Sequence, residues 1–92
     1  MPVGIFWSPP ALARLREIRT YVAQDKPEAA APLATRIVSV VEALPEHPYL
    51  GRAGADSGIR ELVIGGTPYI MLYRVQSGRA IASTIWHGKQ RM

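Results

Sequence analysis

Ile59-Arg60-Glu61-Leu62-Val63-Ile64, Tyr69-Ile70-Met71-Leu72-Tyr73-Arg74-Val75 and Arg79-Ala80-Ile81-Ala82-Ser83-Thr84-Ile85-Trp86-His87 are three apolar runs rich in β-branched and aromatic residues. Gly65-Gly66-Thr67-Pro68 separates the first from the second, and Gln76-Ser77-Gly78 the second from the third. Short runs of this composition with such breaks predict a three-stranded antiparallel meander. Each run has the length of a strand and falls short of a typical helix. All three are apolar on both faces, so some other part of the chain must cover at least one side.

The cover comes from upstream. Val3 to Trp7 is a short apolar run ending at Ser8-Pro9-Pro10, and it reads as a first strand. Ser8 is a good helix cap, and proline is tolerated in the first helical turn because its missing N–H has no partner there. A helix is therefore predicted from near Pro9 to near Gln24. Leu12, Leu15, Ile18 and Val22 form its stripe with Tyr21 beside them, and Arg14, Arg16, Glu17 and Arg19 lie mostly on the other side. Asp25-Lys26-Pro27-Glu28 is a second start signal, a polar cap before proline with a carboxylate near the positive end of the helix dipole. Ala30, Leu33, Ala34, Ile37, Val40, Val41 and Leu44 follow as one stripe that Pro45 stops. So short a break implies an antiparallel helical hairpin. Glu46 to Gly58, with Pro48, Gly51, Gly54 and Gly58, reads as a loop pinned by Tyr49 and Leu50.

The predicted fold class is α+β: an N-terminal strand, a two-helix hairpin, then the meander. It forms one domain over residues 1–92, with the helices on one face of a twisted four-stranded sheet. A right-handed crossover allows the first strand to pair in parallel with the meander. The second face of the sheet is expected to stay open.

Ninety-two residues allow one domain. Cysteine is absent, which excludes a disulfide framework and a thiolate metal site and fits a reducing compartment. No apolar run approaches the roughly 20 residues of a membrane span. The N-terminus lacks a basic leader, so a soluble cytoplasmic protein without membrane contact is expected. Eleven Lys and Arg against seven Asp and Glu give a net charge of +4, which favours acidic partners or serves solubility alone.

Few residues suggest bond-breaking chemistry. The two histidines are His47, in the proline-rich loop, and His87, at the end of the last run. Neither has a nucleophile relay near it in sequence. His87 is a candidate general acid, or a strand-end histidine before Gly88. No metal-ligand spacing and no phosphate-cradling glycine loop occur, so neither metal nor cofactor is expected. Arg60 and Arg74 fall at the same end of an antiparallel pair. With Arg79, Lys89 and Arg91 they are candidates for a positive rim that holds carboxylates or phosphates. The alternative pairs Arg60 with Glu61 and leaves the others solvated. Trp86 fits the core or a partner interface better than base stacking.

Arg60-Glu61-Leu62, the run Tyr69 to Val75, and Ile85-Trp86-His87-Gly88-Lys89-Gln90 together resemble the C-terminal half of ParE toxins in the RelE/ParE superfamily. The front half is similar too, with a short strand, a Ser-Pro helix start and a second helix opening on proline and alanines. The resemblance implies a toxin of a type II toxin–antitoxin system. Its partner would be a small, amphipathic antitoxin with a ribbon-helix-helix DNA-binding start, held in a hetero-oligomer. RelE-like members cut mRNA on the ribosome with several Lys and Arg on the sheet, whereas ParE-like members inhibit DNA gyrase and lack that set. Here Leu62 stands where a second basic residue belongs, Ile70 replaces an arginine after Tyr69, and no tyrosine follows Gln90. RNA cleavage needs groups that activate the 2′-OH, stabilise the phosphorane and protonate the leaving oxygen. Arg60, Arg74 and His87 are what remain for that alternative. The expected reading is a non-catalytic gyrase inhibitor that presents Arg60, Glu61, Tyr69, Tyr73, Arg74, Trp86, His87, Lys89 and Arg91 to its partners. An inactive member that only binds its antitoxin is the third possibility.

Overall fold

The computed structural model describes residues 4–54 and 58–88. Its elements are β1 (Gly4–Trp7), α1 (Pro9–Asp25), α2 (Pro27–Val41), β2 (Arg52–Ala53), β3 (Arg60–Val63), β4 (Tyr69–Gln76) and β5 (Arg79–His87). The strands form one sheet in the order β1-β5-β4-β3-β2. β3, β4 and β5 make the expected antiparallel meander, and β1 joins it in parallel beside β5. The sheet has five strands rather than the four expected. β2, read as loop from the sequence, pairs Arg52 with Glu61 and Ala53 with Arg60. A two-residue ladder is too short to leave a periodic signal.

Ser8 opens α1 as its sequence suggests. Its backbone is extended, and its Oγ accepts the Ala11 N–H at 3.2 Å. The same hydroxyl donates to the Ser83 carbonyl at 3.0 Å, and the Ser8 N–H donates to the Ala82 carbonyl at 3.0 Å. One residue thus caps the helix and ties its start to β5. Ala11 and Ile18 are buried in the core, and Leu15 and Val22 pack against it. The expected Leu12 is instead 40 % exposed, because the stripe is shifted one position round the helix.

Lys26 alone separates the helices, so Asp25 closes α1 instead of capping α2. Ala30, Ile37 and Val41 bury the inner face of α2, and Leu44 continues that line from the turn beyond the helix. Pro32 sits inside α2, exposed. It removes the N–H that would bond the Glu28 carbonyl, and its ring crowds that oxygen. Pro32→Ala is expected to raise stability by about 1–2 kcal/mol, less than the ~3 kcal/mol interior penalty because proline also restricts the unfolded chain. A thermal midpoint higher by roughly 5–15 °C would show it.

The sheet's two faces are sorted by a bulge. Leu72 pairs with Thr84 and Tyr73 with Ala82, so Ser83 on β5 has no opposite residue. An extra residue of this kind reverses which side chains face which side beyond it. Ile85 faces the helices on one side of the bulge, and Ala82 and Ala80 do so on the other. The small alanines lie where α1 begins, beside its Ser8 anchor.

Candidate functional site

The open face of the sheet reads as rows of directly paired residues. One row is Phe6, Ile81 and Arg74; the next is Thr84, Leu72, Glu61 and Arg52; the third is Trp86, Ile70 and Val63. Gln76 and Arg79 close the near end. Residues directly opposite on neighbouring strands share a face, so this surface has an apolar diagonal and an arginine end. Phe6, Val63 and Trp86 are the large exposed apolar groups on it, at 48, 56 and 37 % exposure. Ile70 and Leu72 form its nearly buried floor. Three arginines, Arg52, Arg74 and Arg79, share this face with a single carboxylate among the described residues.

That carboxylate is Glu61, which is buried to 5 % exposure. Arg52 Nε and Nη2 donate to its Oε1 at 3.2 and 3.1 Å. Arg60 was the neighbour suggested as its partner by sequence. It is instead Arg52, because adjacent residues on a strand point to opposite faces while paired residues meet.

Arg60 lies across from Tyr73, on the helix-facing side. Its Nη1 donates to the Gly51 carbonyl at 2.7 Å, and its guanidinium stacks over the Tyr49 ring at 4.7 Å. Tyr73 is fully buried. Its hydroxyl donates to the Pro48 carbonyl at 2.8 Å and accepts the Gly51 N–H at 2.8 Å. Burial pushes the Tyr73 phenol above its ordinary pKa, against smaller opposing effects of the Gly51 bond and the Arg60 charge. Tyr73 and Arg60 therefore strap the segment 48–51 to the sheet. The expected pins, Tyr49 and Leu50, are the exposed residues of that strap at 66 and 54 %.

His87 pairs with Tyr69, with the rings edge-on at 5.5 Å between centroids. Tyr69 and Arg74 are five positions apart on β4, which is about 17 Å along a strand. His87 thus stands at the far end of the sheet from Arg60 and Arg74, and those two occupy opposite faces. The structure does not bring the three into one constellation. Arg60 and Arg74 lie on opposite faces, so these two do not by themselves make the continuous rim expected of them. Lys89 and Arg91 lie outside the described residues. Among the described residues no three His, Cys, Asp or Glu side chains gather as a metal site, and no helix is long and apolar enough to cross a membrane.

Beside His87 a cavity of about 500 Å³ opens on the helical side, with Arg14, Ile18, Tyr21, Leu33 and Tyr69 in its wall. Arg14 Nε donates to the Ile85 carbonyl at 3.1 Å. The sequence placed Arg14 on the solvent side of α1. Its spacing from Ile18 and Tyr21, four and seven positions, was the available sign that it shares their face.

Residues 5–92 match the family of ParE toxins of type II toxin–antitoxin systems, parDE. The protein Y4kP of Sinorhizobium fredii, which carries the name of a toxin, is 42 % identical over 87 residues, covering 95 % of this chain and 90 % of that one. Toxin RelE2 of Caulobacter vibrioides is 39 % identical over 74 residues, 80 % of this chain and 82 % of its own. A chain of the chromosomal ParDE system of P. aeruginosa superposes with a TM-score of 0.87 at 24 % identity, over 92 % of this chain and 95 % of that one. A chain of the YoeB dimer of Staphylococcus aureus superposes less closely, at 0.56 with 14 % identity over 91 and 94 %.

Proposed function

The chain belongs to the ParE toxin family of type II toxin–antitoxin systems, and on that premise we propose that it inhibits DNA gyrase by binding it, without chemistry of its own. Its activity is held in check by a cognate antitoxin with a ribbon-helix-helix start, in a cytoplasmic hetero-oligomer. The open sheet face is the inhibitory surface. The observation that carries this reading is the separation of the residues a nuclease would need. Arg74 faces the open side at one end of the sheet, and His87 lies on the helical side at the other. Hydrophobic side chains beside arginines suit the grip of a protein surface, with an aromatic anchor at the centre and charges around it.

Supercoiling of relaxed plasmid by gyrase is the direct assay. Saturating toxin is expected to abolish it, and Trp86→Ala combined with Arg74→Ala to weaken the inhibition about tenfold or more. A thermal midpoint within a few degrees of the parent would show that the double variant is folded. Undiminished supercoiling at saturating toxin overturns the proposal. Position-specific cuts in translated mRNA would instead favour the endoribonuclease reading, whose support is the RelE name of one relative and the three open-face arginines. Retained antitoxin binding with neither effect would mark an inactive member.

A further inference from the structure

β1 is an edge of the sheet, with β5 on one side and no described strand on the other. The Gly4 N–H donates to the Gly78 carbonyl at 3.3 Å, and the Ser8 N–H to the Ala82 carbonyl at 3.0 Å. Gly4, Phe6 and Ser8 thus turn their backbone groups toward β5, and Ile5 and Trp7 turn theirs outward. Among the described residues no backbone group meets those outward N–H and C=O groups. Open edges are commonly guarded by a lysine, a proline or an inward-pointing charge. Gly4-Ile5-Phe6-Trp7 carries none of these. Its side chains are apolar on both sides. Phe6 stands 48 % exposed on the open face, and Ile5 and Trp7 pack half-buried against the core on the helical side.

We propose that β1 is a self-association edge, through which two copies of this chain pair antiparallel about a two-fold axis at Phe6. The outward-turned residues lie one on each side of Phe6. An axis there sets Ile5 of each copy against Trp7 of the other, as pairs that exchange both of their N–H···O=C bonds. Phe6 then meets its own counterpart as a non-hydrogen-bonded pair, the kind in which side chains come closest, and the two rings gain an aromatic contact. Symmetry and charge select the occupant. In the self-pair apolar meets apolar on both sides of the ribbon, whereas an acidic segment finds no cation on this strand. Copies of net charge +4 repel at long range, but at physiological salt that repulsion is screened within about 8 Å. The axis stands normal to the sheet, so both open faces look the same way and join into one surface with Phe6 at its middle. Pairing ends at Ser8, where the chain turns into α1. So short an interface falls below the roughly 1,200 Å² of stable complexes, and the association is weak and concentration-dependent.

Analytical ultracentrifugation of the full chain from about 10 µM to about 1 mM tests it, a range suited to a weak interface. The mass is expected to rise from one chain toward two, and added salt to favour the larger species, because the copies carry like charge. Phe6→Lys opposes two ammonium groups at the axis and should weaken association about tenfold or more. Ile5→Pro removes an outward N–H that β5 does not use, so it should weaken pairing and leave the β5 ladder whole. Val63→Lys, on the open face across the sheet from β1, should leave association unchanged. In a mixture of isotope-labelled and unlabelled chains, the Phe6 Hα of one copy should show a nuclear Overhauser contact to the Phe6 Hα of the other. A chain that stays single at about 1 mM overturns the proposal. So does a dimer that Val63→Lys dissolves and Phe6→Lys and Ile5→Pro do not, which would assign the contact to the open face. Amide-exchange protection of Ile5 and Trp7 that appears only with antitoxin, and never with concentration, would give the edge to that partner and likewise overturn it. None of these outcomes alters the gyrase assay, so the inhibitory reading stands or falls separately.

Discussion

Tyr73→Phe is expected to lower the stability of this protein by about 2–4 kcal/mol although it removes a single oxygen atom. The hydroxyl bonds the Pro48 carbonyl and the Gly51 N–H, both at 2.8 Å, inside a fully buried site. Phenylalanine fills the same space but leaves a donor and an acceptor without partners, each worth about 1–3 kcal/mol when buried. In a domain of this size the midpoint should fall by roughly 10–25 °C. The variant should also respond differently to alkali. Burial holds the Tyr73 phenol above its ordinary value of 10.0. As pH rises past that value the unfolded chain loses the proton first, so the unfolded state binds fewer protons and stability falls. The Tyr73 contribution is intact below about pH 10 and is lost as pH climbs toward the folded pKa. Thermal melts at about pH 8 and about pH 10.5 check both effects, and the gap between parent and Tyr73→Phe should narrow at the higher pH. Equal midpoints at pH 8 would mean that the strap contributes little.

Gly51→Ala should be comparably damaging, for a steric reason. An added Cβ would stand 2.7 Å from Tyr73 Cε1, 2.9 Å from Tyr73 Oη and 2.9 Å from the Glu61 carbonyl oxygen. The ring is locked by its two hydrogen bonds and the carbonyl belongs to a paired strand, so neither can retreat cheaply. Overpacking of this kind costs about 1–3 kcal/mol, and the concurrent loss of the Tyr73 bonds adds to it, for a total of about 3–4 kcal/mol. Chemical denaturation should show a lower midpoint concentration with an unchanged slope. Gly66→Ala provides a contrast in kind. No atom lies within 4 Å of an added Cβ there, and its only penalty is backbone strain at φ +80°. Combining Gly51→Ala with Tyr73→Phe should cost less than the sum, because both act on one strap.

The strap also explains what the sequence hid. Tyr73 and Arg60 read as surface-facing partner residues because they belong to an arginine- and tyrosine-rich strand pair. Whether a strand residue faces helices or solvent depends on register, and one position of slip inverts every assignment. Tyr69 and Tyr73 alternate correctly with Ile70 and Leu72, but nothing in that alternation says which set the helices cover. Both sets are apolar. β5 is harder still, because Ser83 breaks the alternation midway and its only sequence sign is a short polar pair, Ser83-Thr84. Trp86 and Arg74 on one side, and Tyr69 and His87 on the other, were separated only by the folded register.

By itself the sequence determined the local elements and their order. Ser8 and two prolines start α1, a break of a few residues between two helical patterns makes a hairpin, and three β-rich runs between turn residues make a meander. These are short-range effects of capping, backbone restriction and side-chain period, and they act between residues a few positions apart. Tertiary structure alone decided that β1 lies beside β5, that β2 adds a fifth strand, that Arg60 turns inward to hold Gly51, and that Arg14 meets His87 across a cavity. Those contacts join residues 9 to about 75 positions apart. They are selected by burial and by the pairing of backbone groups over the whole sheet, which no local window of sequence can weigh.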